Sequence, residues 1–317
     1  MADYLSVLVC GGAGYLGRHL VASLEGSGHK IRVLTRAKSR HWVQEQKAIE
    51  VCYWDTQESL TKAMKGIDVV INLAGPDAAD CNKDPPLAKK TVSVLNKALL
   101  DASTASQVHT YLYVSSIHVY GSSPRGEIDI HHALRPDTPY GIARKAGEDI
   151  VLAHPSSVNK IIVRLSNGYG FSDINFLVNS SRNLFVNQLI LGVAHNWSIN
   201  LNSNPNILRD FIPITEASKL IRNLIMISPN LYSSDRNIIN LCSGETCRLI
   251  DMAILVQRYV QSEFQRNLCI NVTPTESPRE IATFRFSNHS LRRIIQTNKI
   301  SHKEHVFRSC ELAFKSC

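Results

Sequence analysis

The chain has 317 residues, 44% of them hydrophobic and 20% charged, the proportions of a soluble globular protein long enough to bury a large core. Its formal charge of +8 suits a polyanionic ligand such as a nucleotide diphosphate, whereas the absence of a block of like charge argues against a nucleic-acid arm. No apolar run approaches the roughly 18 residues of a membrane span, the start lacks the basic region of a secretory signal, and eight scattered cysteines show no metal-ligand spacing. They read as reduced thiols, so the expectation is a cytoplasmic protein with no metal and no membrane or nucleic-acid partner.

The apolar run Val7-Leu8-Val9-Cys10 enters Gly11-Gly12-Ala13-Gly14-Tyr15-Leu16-Gly17 and leaves as a helical pattern. Glycines at 11, 14 and 17 fit the turn of a dinucleotide-binding βα unit, where the backbone approaches a pyrophosphate held on the helix N-terminus. Bare turns also need glycine, but the strand before and the helix after favour the binding reading, with Tyr15 and Leu16 lining the site. Residues 30–34 read as a second strand that ends in Thr35-Arg36. A carboxylate there would bond the ribose 2′-hydroxyl of NAD, and an arginine can pair with the 2′-phosphate of NADP. Arg36, with Lys38 and Arg40 nearby, therefore predicts NADP, with NAD still admissible; the alternative is solvated surface charge.

Residues 49–54 predict a third strand with Asp55 at its end, 58–65 a helix closed by Gly66, and 68–75 a fourth buried strand ending in Leu73-Ala74-Gly75. Small residues there let a cofactor lie across the sheet edge. Residues 80–86 read as a surface loop and 87–102 as an amphipathic helix. Strands alternating with helices predict a doubly wound parallel α/β sheet. The next strand, 110–116, ends in Ser115-Ser116, and Pro139-Tyr140-Gly141-Ile142-Ala143-Arg144-Lys145 opens a helix that Asp137 or Thr138 can cap.

Together the glycine turn, Asp55, Asn72-Leu73-Ala74-Gly75, Ser116 and Tyr140 resemble the extended short-chain dehydrogenase/reductase family, which includes nucleotide-sugar epimerases, dehydratases and keto reductases. The resemblance continues through residues 161–170 as a sixth strand, Arg209-Asp210-Phe211-Ile212-Pro213 as a substrate-diphosphate segment, residues 238–244 as a last strand, and Arg279 as a second diphosphate arginine. It implies a Rossmann domain over 1–165 to which 212–243 return, and a substrate lobe from 166–211 and 244–317. It also implies that Asp55, Leu73, Ala74 and Gly75 bind cofactor, that Tyr140 is the acid/base, that Ser116 bonds the same substrate oxygen, and that homodimers are common.

Three departures stand out. The family places a lysine one helical turn after its tyrosine to hold the nicotinamide ribose; here that position is Arg144, and Lys145 comes one residue later, rotated about 100° away. Arg144 keeps a positive charge beside Tyr140, but a guanidinium fork does not reproduce an ammonium's reach. An asparagine usual in the preceding helix is replaced in the neighbourhood of Thr91, Val92 and Ser93, and Ile117-His118 stands where dehydratases carry an acidic pair. Isoleucine cannot move a proton, so dehydration by that route is disfavoured. His118 is either a sugar contact or second acid/base, or a structural histidine. Asn167, Arg209 and Arg279 are expected on the substrate, the alternative for the arginines being internal ion pairs. The preferred expectation is NADPH-dependent reduction of a keto group on a nucleotide-linked sugar, against an NAD-dependent 4-epimerase and a non-catalytic cofactor-binding protein.

Overall fold

A computed structural model describes residues 4–35, 50–53, 56–195, 198–201, 204–227, 238–267, 269–272, 283–296 and 300–315. Among these residues, seven parallel strands form the central sheet: β1 (Ser6–Cys10), β2 (Lys30–Thr35), β3 (Glu50–Tyr53), β4 (Val69–Asn72), β5 (Thr110–Ser116), β6 (Asn159–Leu165) and β7 (Ile238–Leu241). They lie in the order β7-β6-β5-β4-β1-β2-β3. Every side chain of β4 and β5 is buried, as expected of strands covered on both faces. Chain order reverses between β1 and β4, and in such sheets ligands bind in the crevice beyond the strand ends at this point.

The main helices are α1 (Tyr15–Glu25), α2 (Gln57–Met64), α3 (Pro85–Ala105), α4 (Pro139–Ala153), α5 (Phe185–Ala194), α6 (Ile214–Ile225), α7 (Leu249–Phe264) and α8 (His302–Lys315). One sheet face is covered by α1 and α6, where Leu20 and Leu24 join Leu220, Ile221 and Leu224 in one core. The other carries α2, α3 and α4, with Leu60, Val92, Leu99, Ala143 and Val151 in a second core. No described helix is long and apolar enough to cross a membrane.

Helix starts follow local chemistry. Asp84 accepts from Leu87 N at 3.0 Å and Pro85 and Pro86 fill the first turn of α3, so this helix begins earlier than the apolar pattern suggested. The loop expected over 80–86 is largely helix, Ala78–Lys83, because Asp77 caps it by accepting from Asp80 N at 2.9 Å. For α4 the cap is Thr138, which accepts from Gly141 N at 3.1 Å; Asp137 instead accepts from Ser122 N and Oγ.

A third core is drawn from α5, α7 and α8 and forms a smaller lobe, while Leu291 and Ile295 pack with α1 and α6. Three short strands form a separate sheet: Leu208–Pro213 pairs parallel to Asn167–Tyr169 and antiparallel to Thr246–Arg248. A further seam joins α1 to the lobe. Tyr15 donates its hydroxyl proton to the Gly170 carbonyl and accepts from Asn187 Nδ2, and Ser172 N donates to His19 Nε2 at 3.3 Å.

Candidate active site

At the crevice, Gly11, Gly14, Tyr15, Leu16, Gly17 and Leu73 line the same cleft as Ser116, Tyr140 and Arg144. The turn from β1 into α1 is tight because Gly17 has no side chain: a Cβ there would stand 2.3 Å from the Gly11 carbonyl oxygen, far inside contact distance. Helix α1 then starts at Gly14 with no side-chain cap and no acidic residue in its first turn. Its leading N–H groups and positive dipole end thus face the cleft without an anion of the protein's own, the arrangement that takes a phosphate. These features fit a dinucleotide's pyrophosphate.

Across the cleft, β4 exits through Leu73-Ala74-Gly75. Ala74 N donates to Asn72 Oδ1 at 3.0 Å, so a buried side chain shapes the turn. Asn72 Nδ2 donates to Asn96 Oδ1 and to the Tyr111 hydroxyl, each at 3.0 Å, and Tyr111 donates to Asn96 Oδ1 at 2.8 Å. Sequence reasoning missed Asn96 and Tyr111, which are 24 and 39 residues from Asn72. The only signal was a polar residue on the apolar face of each element. Val92, in the stretch where the family usually carries an asparagine, is buried at 1% exposure.

Strand β5 delivers Ser116 and α4 delivers Tyr140, both to the cleft. Ser116 Oγ accepts from His118 N at 3.3 Å, which leaves its own proton to donate toward a ligand oxygen. One turn after Tyr140, Arg144 is buried at 7% exposure with its Cζ 4.9 Å from the Tyr140 ring centre. Burial works against its charge, but the Tyr140 and Tyr113 hydroxyls outweigh it and the net shift of its pKa is upward, so Arg144 stays a cation. No carboxylate among the described residues forms an ion pair with it. Lys145 faces away, and its Nζ meets Asp149 at 2.8 Å. A full turn beyond Arg144, Glu148 is held by Arg164 at 2.8 Å and by Ser115 Oγ at 2.6 Å, locking α4 to the strands that carry the site.

The His118 ring meets the Tyr140 ring edge to face, centroids 5.7 Å apart. Burial first, then the Arg209 charge, lower the His118 pKa against an opposing bond to Asn167, so the imidazole is neutral at pH 7. Asn167 Nδ2 uses one N–H to donate to the Asp210 carbonyl at 2.8 Å, bracing a strand, and its side chain also bonds His118. Arg209 donates to the Leu208 carbonyl at 2.9 Å and, among the described residues, has no carboxylate partner; burial lowers its pKa. The internal ion pair considered for Arg209 is thus not what the described residues form. Asp210, fully buried, accepts from Ser166 Oγ, Ser243 N and Oγ, and Gly244 N; burial outweighs these bonds and raises its pKa to about 6. Its hub role was also missed. Arg36, Lys38, Arg40, Asp55 and Arg279 lie outside the described residues.

The chain is 25% identical over 186 residues to a dTDP-glucose 4,6-dehydratase of Streptomyces niveus, covering 52% of this chain and 54% of that protein. It therefore spans about half the length of this curated relative. Among solved structures, the UDP-N-acetylglucosamine 4-epimerase from Methanobrevibacter ruminantium M1, in complex with UDP-N-acetylmuramic acid, superposes with a TM-score of 0.82 at 18% identity over 99% of this chain and 100% of that one. MoeE5 in complex with UDP-glucose and NAD gives 0.78 at 19% identity over 98% and 99%. These likenesses show a shared fold. The sequence profile of the NAD dependent epimerase/dehydratase family matches residues 7–228, more than half of the chain, and the protein belongs to that family.

Proposed function

We propose that this protein is an NAD(P)-dependent oxidoreductase acting on a nucleotide-linked sugar, with Tyr140 as acid/base and reduction of a keto group as its reaction. The observation that carries this reading is one cleft lined by both the uncapped glycine turn and the set Ser116, Tyr140 and Arg144. A nicotinamide cofactor, when bound, supplies the hydride. The chain's own residues do the rest. Tyr140 holds the proton that the carbonyl oxygen takes up as it becomes a hydroxyl, and proton transfer of this kind is worth about 10²–10⁴ in rate. Ser116 donates a hydrogen bond to that same oxygen, favouring the charge that develops on it. Arg144 lies against Tyr140 as a fixed cation on the cofactor side, and Arg209 offers a diphosphate on the substrate side a guanidinium that no described carboxylate holds. Anchoring the nucleotide orients the reacting carbon. Arg36 supports NADPH as the cofactor, drawn from solution and exchanged at each turnover.

A second reading is a 4-epimerase with retained NAD, supported by the two fold neighbours described above as an epimerase and as a complex with NAD. Titrating the purified protein with NADPH, NADH, NADP and NAD separates the readings. Preferred NADPH binding, and substrate-dependent NADPH oxidation lost in Tyr140→Phe, are expected for the reductase. Copurified NAD would point to the epimerase, and binding of none of the four would leave a non-catalytic protein.

A further inference from the structure

Arg144 is a buried cation that no carboxylate among the described residues holds; the Tyr113 and Tyr140 hydroxyls bond it, and the shape of its slot sets where the guanidinium ends. One wall of its slot is the Tyr140 ring, 4.9 Å from Cζ. The other is the backbone of Gly75, where a Cβ would stand 3.2 Å from Nη1, 3.4 Å from Nη2 and 3.5 Å from Cζ. A side chain at 75 would therefore crowd the end of the guanidinium, which would have to give by a few tenths of an ångström. The turn reaches this position because Asn72 fixes Ala74 N and Gly75 adopts φ +154°, which side-chain-bearing residues rarely adopt.

We propose that Gly75 and Arg144 are a coupled pair: the missing side chain at 75 makes the slot that positions the Arg144 guanidinium in the cleft, so that an arginine at 144 depends on a glycine at 75. Gly75 is thus a positioning residue acting through Arg144. The consequence for cofactor binding rests on the function proposed above; the steric coupling itself belongs to the cofactor-free protein. A lysine at 144 presents a single narrow head in place of the planar fork and relieves the crowding that a side chain at 75 would cause.

The test compares wild type, Gly75→Ala, Arg144→Lys and the double variant, reading Tm without cofactor and the dissociation constants of NADH and NADPH. The backbone penalty of a non-glycine residue at φ +154° is common to both backgrounds and cancels in the cycle. Gly75→Ala is expected to lower Tm by about 6 °C in the wild-type background and by about 3 °C or less in the Arg144→Lys background. It should weaken dinucleotide binding about tenfold in the wild-type background and about threefold or less in the Arg144→Lys background, differences on the order of 1 kcal/mol. Equal losses of Tm in the two backgrounds, or failure of both alanine variants to fold, would assign the need for glycine to its φ alone and overturn the pairing. Coupling in Tm with equal losses of binding would overturn the positioning role. Coupling in Tm with no dinucleotide bound by any of the four proteins would uphold the pair while removing the cofactor reading.

Discussion

A guanidinium taken partly out of water without a counter-charge weakens the folded chain unless a ligand offsets that loss. Arg209 is such a group, with only the neighbouring Leu208 carbonyl as acceptor among the described residues, and His118 beside it is kept neutral. Arg209→Ala is expected to weaken UDP binding by about 10- to 100-fold, the value of one charge-assisted hydrogen bond, while Tm without ligand stays level or rises. Calorimetric titration with UDP checks this, and unchanged affinity would remove the clamp. Arg209 was singled out because the Arg-Asp-Phe-Ile-Pro run resembles the family's substrate-diphosphate segment, and Lys145 could be set aside on helical angle alone. The direction of the Asn167 amide was not legible. It depends on the register that sets Asn167 opposite Phe211, two strands far apart in the chain. Arg144 could be seen as a departure, but not the glycine that makes room for it.

At the scale of elements, the sheet and its helices follow from apolar runs, glycine turns and caps, all local in sequence. The polar contacts that aim them do not. Asn72 on β4, Asn96 on α3 and Tyr111 on β5 are each fully buried, and nothing within a single element says that three polar residues on three apolar faces meet. Their meeting shapes the turn after β4, since Asn72 Oδ1 holds the Ala74 amide. Asn96→Ala removes the acceptor of Tyr111 and one acceptor of Asn72, and leaving a buried donor unmatched costs about 1–3 kcal/mol. Urea unfolding should show a loss of about 2 kcal/mol, accompanied by weaker dinucleotide binding because the turn loses its brace. A loss below about 0.5 kcal/mol, the range of an ordinary surface change, would mean that the network carries no net stability. The helix over Ala78–Lys83 shows the converse case: Asp77 is a good cap, but the run 80–86 with its prolines read as a loop, and a six-residue helix leaves little periodicity to see.

Across the whole molecule, two buried titratable groups of opposite pH sense lie where the lobe meets the central sheet and its helices. His19 on α1 donates through Nδ1 to the Tyr15 carbonyl and accepts Ser172 N–H at Nε2, a role open only to the neutral ring. Burial lowers its pKa from 6.5 to about 4. The unfolded chain therefore binds this proton first as pH falls, and His19 withdraws stability between about pH 6.5 and 4. Asp210 behaves in the other direction. Burial raises its pKa from 3.8 to about 6, so the folded state keeps its proton longer, and ionisation withdraws stability as pH rises from about 4 to 6. Each shift corresponds to about 3 kcal/mol over its window, so the two slopes largely cancel between about pH 4 and 6. Replacing one group exposes the other. In Tm measurements from about pH 4 to 7, His19→Gln should lose stability relative to wild type as pH rises through this window, and Asp210→Asn should gain it. Parallel profiles for all three proteins would show that neither seam titrates with folding. The expected divergence would make the junction between the halves a pair of opposed proton sites, holding the cleft's two walls at nearly constant stability across mildly acid pH.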